Sequence, residues 1–90
     1  MLEVVLSNQF KKDLKLAKKR GRNLDLPDSV VNTLANGEKL PDKNHDYELS
    51  GEYRGFRECH IQPDWLLVYR INNDEIFLFL SRAGSHSDLF

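Results

Sequence analysis

The sequence predicts an α+β fold in which two N-terminal helices pack on one face of an antiparallel sheet of about four strands. Two observations predict it: apolar residues follow helical spacing in residues 1–37, and they alternate with period two in residues 56–82. The 90 residues are enough for one domain with a modest core, which we place at residues 1–90.

A short strand and a basic helix are predicted first. The apolar, β-branched run Leu2–Leu6 is typical of a strand. Ser7 or Asn8 is the expected N-cap of the helix that follows, and Gly21 ends that helix. Its apolar positions, at helical spacing, are Phe10, Leu14 and Ala17. We assign this stripe to the core, and lysines fill the other face.

A second helix and a long loop come next. Pro27 suits the first residue of the helix, and Gly37 ends it. The apolar stripe of this helix consists of Val30, Val31 and Leu34. The polar segment 38–51 contains His45 and is predicted to be a loop, of a length that is often functional.

Three strands joined by tight turns complete the predicted fold. They are Phe56–Ile61, Trp65–Ile71 and Ile76–Arg82, separated by a proline turn and an Asn-Asn-Asp hairpin turn. The third strand is apolar on both faces. We expect one face to take the helices, so the other must be partly covered or bind a partner.

Composition excludes several classes of protein. The longest apolar run is far shorter than the roughly 20 residues of a membrane span, and the first residues do not resemble a secretory signal. Cys59 is the only cysteine, so it forms no internal disulfide, and we expect it to be buried on a strand. These features predict a cytoplasmic protein without a membrane partner.

The charge is unevenly distributed along the chain. Residues 1–22 carry seven basic and two acidic side chains, whereas the remainder carries six basic and twelve acidic side chains. A basic block on an acidic chain is typical of a nucleic-acid footprint or of a docking face for an acidic partner. A solvated helix face is the alternative interpretation.

Polar residues mark one edge of the predicted sheet. They are His60 at the end of one strand, Asp64 and Trp65 at the start of the next, and Arg82 at the end of the third. Because strands joined by short turns pair antiparallel, these positions lie at the same end of the sheet. His86 follows from that edge, and Gly84 leaves the chain free to turn. Connectivity does not place His45.

This set of side chains suits RNA cleavage without a metal. The reaction needs a base for the 2′-OH, an acid for the departing 5′-oxygen and a cation for the phosphorane. His60, Asp64 and His86 suit proton transfer, and the planar guanidinium of Arg82 suits phosphate. Trp65 and Phe90 are candidates for stacking on bases.

Other interpretations stay open at this point. Taken singly, each residue is also explained as a surface histidine, a turn former, a core aromatic or one partner of an ion pair. Three histidines and Asp64 could in principle ligate zinc, but the His60-x-x-x-Asp64 spacing spans a turn. No helix carries a His-x-x-x-His pair, so we predict no metal site.

The residues resemble the YafQ-type branch of the RelE/ParE toxin superfamily. The resemblance lies in the segments Phe56–Tyr69 and Arg82–Phe90, in the loop motif His45–Gly51, and in the opening strand and Lys-rich helix. It implies a curved antiparallel sheet like that of small microbial ribonucleases. It also implies a ribosome-dependent endoribonuclease that cuts mRNA without a metal or cofactor, and a cognate antitoxin encoded alongside. Operator DNA would be bound only through the antitoxin.

The resemblance also implies residue roles. His45, His60, Asp64 and His86 match the family's acid–base residues, with His86 as proton donor and His60, oriented by Asp64, as our choice of base, followed by His45. The positions that shape the substrate site are matched by Trp65, Arg82 and Phe90. The expected contacts to rRNA or to the antitoxin are Lys11, Lys15, Lys18, Lys19 and Arg22. With a pI near 6.3, attraction to rRNA would depend mainly on this basic region.

Two further hypotheses share the same fold. A non-enzymatic inhibitor, like the gyrase-targeting ParE relatives, has no need of the histidine cluster. An inactive module that only pairs with its antitoxin would not be toxic. The histidine cluster favours the ribonuclease.

Overall fold

The computed structural model describes residues 1–90 and contains one five-stranded sheet and three α-helices. The strands are β1 (Glu3–Leu6), β2 (Tyr47–Glu48), β3 (Arg57–Gln62), β4 (Trp65–Asn72) and β5 (Phe77–Gly84). The helices are α1 (Asn8–Lys19), α2 (Asp25–Ala35) and α3 (His86–Leu89). None of the helices is both long and apolar enough to cross a membrane.

The strand order is β1-β5-β4-β3-β2, and the α+β class is confirmed. Strands β3, β4 and β5 pair antiparallel, as predicted, and β2 pairs antiparallel with β3. β1 instead runs parallel to β5, because the helical crossover through α1 and α2 separates β1 from the other strands. The strand count differs from the prediction by one. Tyr47 and Glu48, within the predicted loop, pair with Glu58 and Arg57 as a fifth strand.

Helix α1 follows the sequence prediction closely. The Ser7 hydroxyl accepts a hydrogen bond from the Phe10 amide at 2.9 Å and caps the helix. Phe10 and Ala17 are buried against the sheet. The helix ends at Lys19, shortly before Gly21, whose φ of 78° is in the left-handed region that glycine tolerates.

Helix α2 begins at Asp25, two residues before the predicted start at Pro27. A proline is tolerated there because amides of the first helical turn need no partner within the helix. Asp25 and Asp28 in that turn interact favourably with the helix dipole. Val30 and Leu34 are buried beside α1, so both N-terminal helices pack on one face of the sheet, as predicted.

Strand β4 divides the interior into two clusters. Leu67 and Tyr69 point towards α1 and α2 and join the main core. Leu66 and Val68 point to the opposite face, where Leu89 of α3 packs on them. The face without α1 and α2 is therefore only partly covered, and we call it the open face.

Strand β5 differs from the prediction at both ends. Ile76 lies in the preceding turn with a φ of 58°, which is rare for a β-branched residue, and it is 56% exposed. A β-bulge at Ser81 shifts the register between Arg82 and Leu80. As a result Ala83, and not Arg82, continues the main core after Leu80.

Cys59 is fully buried, and burial raises the pKa of its thiol from 9.0 to about 12. We expect no reaction with DTNB at about pH 8 while the protein is folded, because the thiolate is the reactive form. In urea the thiol should react at the rate of a free cysteine. The exposed variant Ser87→Cys provides the control, with one fast-reacting thiol. Rapid labelling of the folded wild type would contradict the buried position.

Candidate active site

The register of β3, β4 and β5 places His60 level with the end of β5, two residues before His86. On β4, Leu66 pairs with His60 of β3 on one side and with Gly84 of β5 on the other. Residues paired across strands point to the same face, and two strand spacings separate His60 from Gly84 by about 10 Å. His60 therefore lies on the open face, in one row with the start of α3.

Helix α3 lies on the same open face. A Cβ added to Gly84 would lie 3.1 Å from Asp88 Cβ and 3.3 Å from Leu89 Cδ2. Helix α3 therefore lies directly over Gly84. Leu89 also packs on the Leu66 and Val68 side chains. His86, the first residue of α3, therefore shares a face with His60, and Leu66 and Val68 form the floor between them.

Capping and one ion pair hold α3 in place. Ser85 Oγ accepts from the Asp88 amide, and Asp88 Oδ2 accepts from the Ser85 amide, both at 3.2 Å. The hydrogen bonds from Ser85 lower the pKa of the Asp88 carboxyl below its usual 3.8. Arg20 at the end of α1 pairs with Asp88 at 3.4 Å.

The structure places His45 beside His60. A short 3₁₀ turn at Asp42–Asn44 precedes it, and buried Asn44 donates to the His60 carbonyl at 2.7 Å. His45 itself adopts a left-handed φ of 44°. The two imidazole centroids lie 5.4 Å apart, edge to face. This contact brings together two side chains that lie fifteen residues apart in sequence.

His60 has a defined orientation. Its Nδ1 lies 3.3 Å from the Pro63 carbonyl, which can only accept, so Nδ1 carries the proton in the neutral ring. Its Nε2 then has the free lone pair, 3.9 Å from Glu58 Oε1. Asp64 does not orient the ring: its side chain is 82% exposed and lies 4.0 Å from Arg22.

Glu58 is the main residue that sequence reasoning missed. It is 2% exposed, and its Oε1 accepts a hydrogen bond from the Tyr47 phenol. That hydrogen bond raises the pKa of Tyr47, so the phenol stays a donor. The sequence held a signal, because an acid two residues before His60 on a strand must share its face.

Trp65 is on the face opposite the histidines. It is 1% exposed, and the Arg22 guanidinium lies 4.9 Å from its ring centroid. Its ring therefore cannot stack on a base and instead supports Arg22 at the edge of the sheet. Phe90 is the accessible aromatic side chain, at 48% exposure, packed edge-on to Tyr53 at 5.3 Å and against His86 at 5.4 Å.

Arg82 is held by α1. Its Nε donates to Asp13 Oδ2 at 3.0 Å and its Nη2 to Asp13 Oδ1 at 3.3 Å. This hydrogen bonding raises the pKa of the guanidinium further. Nη1 makes no hydrogen bond within the protein, and the side chain is 32% exposed. One end of the guanidinium thus stays available to a ligand.

The basic residues of α1 lie apart from the histidines. All four predicted contact lysines are exposed on α1, and they are Lys11, Lys15, Lys18 and Lys19. Because α1 packs on the helix-bearing face, these lysines form a second surface. Arg22 connects the two surfaces through its contacts with Trp65 and Asp64.

The largest cleft, about 620 Å³, contains no histidine. Within it the Tyr69 phenol donates to Asp46 Oδ1 at 2.6 Å, and Arg57 Nε donates to the same oxygen at 3.2 Å. Burial raises the pKa of Tyr69. These hydrogen bonds join the segment before β2 to β3 and β4.

The structure contains no group of three His, Cys, Asp or Glu side chains arranged to hold a metal ion.

The structure is a mixed sheet with α1 and α2 on one face and, on the other, His60 and the short helix that begins at His86. A sequence profile described as "Bacterial toxin of type II toxin-antitoxin system, YafQ" matches residues 2–90. The mRNA interferase toxin YafQ of Escherichia coli K12 is 35% identical over 89 residues, covering 98% of this chain and 95% of that protein. The chain therefore belongs to the YafQ family of bacterial type II toxins.

Solved structures give the same result. The crystal structure of a metal-bound toxin from Helicobacter pylori has a TM-score of 0.94 and 49% identity to this chain, with 100% of both chains covered. A chain of the E. coli DinJ–YafQ complex has a TM-score of 0.91 and 33% identity, covering 100% of this chain and 99% of that one. The resemblance predicted from the sequence is confirmed.

The close contact between Gly84 and Asp88 leaves little room for a larger residue at position 84. Gly84→Ala puts a methyl group 3.1 Å from Asp88 Cβ, so α3 and His86 must shift. We expect growth arrest on expression to weaken severalfold while the melting temperature changes little.

Gly37→Ala is the matched control. No atom lies within 4 Å of the added methyl, but the φ of 76° is strained for alanine. We expect about 1 kcal/mol lower stability with toxicity retained. Equal toxicity of wild type and Gly84→Ala at matched expression levels would show that growth arrest does not depend on the position of α3.

Proposed function

We propose that this toxin is a ribosome-dependent mRNA endoribonuclease that uses metal-independent acid–base catalysis and needs no cofactor. The observation that carries the proposal is the placement of His60 and His86 across one floor of the open face. A separation of about 10 Å between His60 and Gly84, two residues before His86, is compatible with a phosphodiester bound between the two rings. The activity named for the E. coli relative supports mRNA as the substrate.

Cleavage begins at the base. Nε2 of His60 takes the proton of the 2′-OH, and the 2′-oxygen attacks the adjacent phosphorus. The new positive charge arises 3.9 Å from the Glu58 carboxylate, which stabilises it. His45, edge-on to His60, is the second candidate for this role.

The leaving group departs on the other side. As the bond from phosphorus to the 5′-oxygen breaks, His86 donates its proton to that oxygen, which leaves a 2′,3′-cyclic phosphate and a 5′-hydroxyl. The free Nη1 of Arg82 stabilises the negative charge on the phosphorane. Phe90, supported by Tyr53, offers a ring on which a base next to the cut stacks.

The remaining predicted residues act around this centre. Asp64 and Trp65 hold Arg22 at the edge where RNA enters. The α1 lysines contact rRNA, which positive charge attracts, or the antitoxin. The E. coli DinJ–YafQ complex supports a cognate antitoxin for this chain. We propose that operator DNA is contacted only through that antitoxin. Ribosomal mRNA as a substrate implies action in the cytoplasm.

Replacing the acid or the base tests the mechanism. We expect His86→Gln and His60→Gln each to lower the cleavage rate of ribosome-bound mRNA by about 100-fold or more, the usual contribution of general acid–base catalysis. The rate is measured by mapping mRNA 5′ ends in the presence of EDTA. Asn36→Gln, an exposed change at the end of α2, is the control. Undiminished cleavage by either histidine variant would refute the assignment, and DNA damage without mRNA loss would favour a ParE-like inhibitor.

Glu58 is proposed as a positioning residue. We expect Glu58→Gln to lower kcat about tenfold with KM unchanged, because an amide cannot stabilise the imidazolium. Glu58→Asp should recover part of the rate. The matched control is Glu75→Gln in the exposed turn before β5, with no loss. If Glu58→Gln had the kcat and the stability of the wild type, the Glu58 carboxylate would have a structural role only.

A further inference from the structure

A small aromatic groove lies on the open face, away from the histidines. It is lined by Val5, Phe56, Arg70, Phe77 and Phe79 and has a volume of about 190 Å³. We call it the phenylalanine groove. The proposed cleavage mechanism does not use this groove. The phenyl rings of Phe77 and Phe79 on β5, the strand predicted to be apolar on both faces, line it.

The phenylalanine groove is continuous with the floor of the active site. On β4, Leu66, Val68 and Arg70 alternate onto the same face, and Arg70 lies about 13 Å from Leu66 along the strand. Arg70 pairs with Phe79, which pairs in turn with Val5. Phe56 packs against the floor cluster and also lines the groove. A strand crossing the floor therefore meets the groove next.

The chemistry of the groove suits a nucleotide. Three half-buried phenyl rings meet the guanidinium of Arg70, which lies 5.9 Å from the ring centroid of Phe56. Four of the six arginines are paired with acids, and they are Arg20, Arg22, Arg57 and Arg82. Arg54 and Arg70 are exposed and form no ion pair, and of these two only Arg70 lines the groove. No carboxylate lines the groove. The phosphates of an RNA strand would be attracted by the Arg70 guanidinium and repelled by no carboxylate, and its planar bases would stack on the phenyl rings.

We propose that the phenylalanine groove binds a base of the same single-stranded RNA, a few nucleotides from the scissile phosphate. The base stacks on Phe77 and Phe79, and Arg70 binds the adjoining phosphate. This inference rests on the proposed ribonuclease function and adds a subsite to it. The groove is below the size of ordinary drug-sized pockets, which fits one flat base better than the apolar face of a helix.

Two neighbouring valines supply a matched test. Val5 and Val4 are 40% and 41% exposed on the same strand, but only Val5 lines the phenylalanine groove. The probe is a non-cleavable 2′-O-methyl oligoribonucleotide, and the readout is its Kd for the isolated toxin. We expect Val5→Glu to weaken binding about tenfold, the loss expected for one base–aromatic stack, and Val4→Glu to leave it unchanged.

A second variant separates stacking from charge. Phe79→Leu keeps an apolar side chain but removes the ring, and an abasic site replaces one nucleotide of the probe at a time. At one position, removing the base should weaken wild-type binding severalfold and leave Phe79→Leu unaffected. Additive losses at every position would overturn the proposal.

The outcomes separate this inference from the proposed function. Because the probe cannot be cleaved, failure of mRNA cleavage in a parallel assay bears on catalysis alone. Equal Kd values for Val4→Glu, Val5→Glu and wild type would overturn the groove subsite even if cleavage is normal. Weaker antitoxin binding by Val5→Glu with unchanged RNA affinity would make the groove a protein-docking surface and would also overturn it.

Discussion

The strand register that aligns His60, Leu66 and Gly84 is the constraint on which the site depends. A slip of one residue between β3 and β4 would turn His60 towards the helices and bring Cys59 to the open face. The burial of Cys59, Leu67 and Leu78 in the main core makes such a slip costly. The apolar core thus determines the face of the sheet on which the His60 imidazole lies.

Helix α1 has two roles in the same molecule. Its apolar stripe completes the core. Asp13 of α1 pairs with Arg82 near the end of β5, and Arg20, directly after α1, pairs with Asp88 of α3. Asp13 also accepts from the Ala83 amide, so one carboxylate holds both the backbone and a side chain of β5. Helix α1 is therefore linked by ion pairs and a hydrogen bond to β5 and α3, and its exposed lysines remain free for a partner.

Connectivity and periodicity were sufficient to predict most of the fold and part of the site. Short turns require antiparallel neighbours, which is why the common edge of His60, Arg82 and His86 followed from sequence. Contacts made by distant segments were not predictable, and His45 beside His60 is the clearest case. Strand alternation already implied that Trp65 and His60 face opposite sides, whereas the Pro63 carbonyl as orienting group required coordinates.

His86, the proposed proton donor, belongs to the shortest α-helix of the protein. A four-residue helix has no stability of its own and exists only when docked on Leu66 and Val68. β5 is also a central strand, so it must pair on both sides before α3 has anywhere to lie. Unpairing of β4 from β5 would therefore remove the surface on which α3 docks, and the placement of His86 would be lost with it.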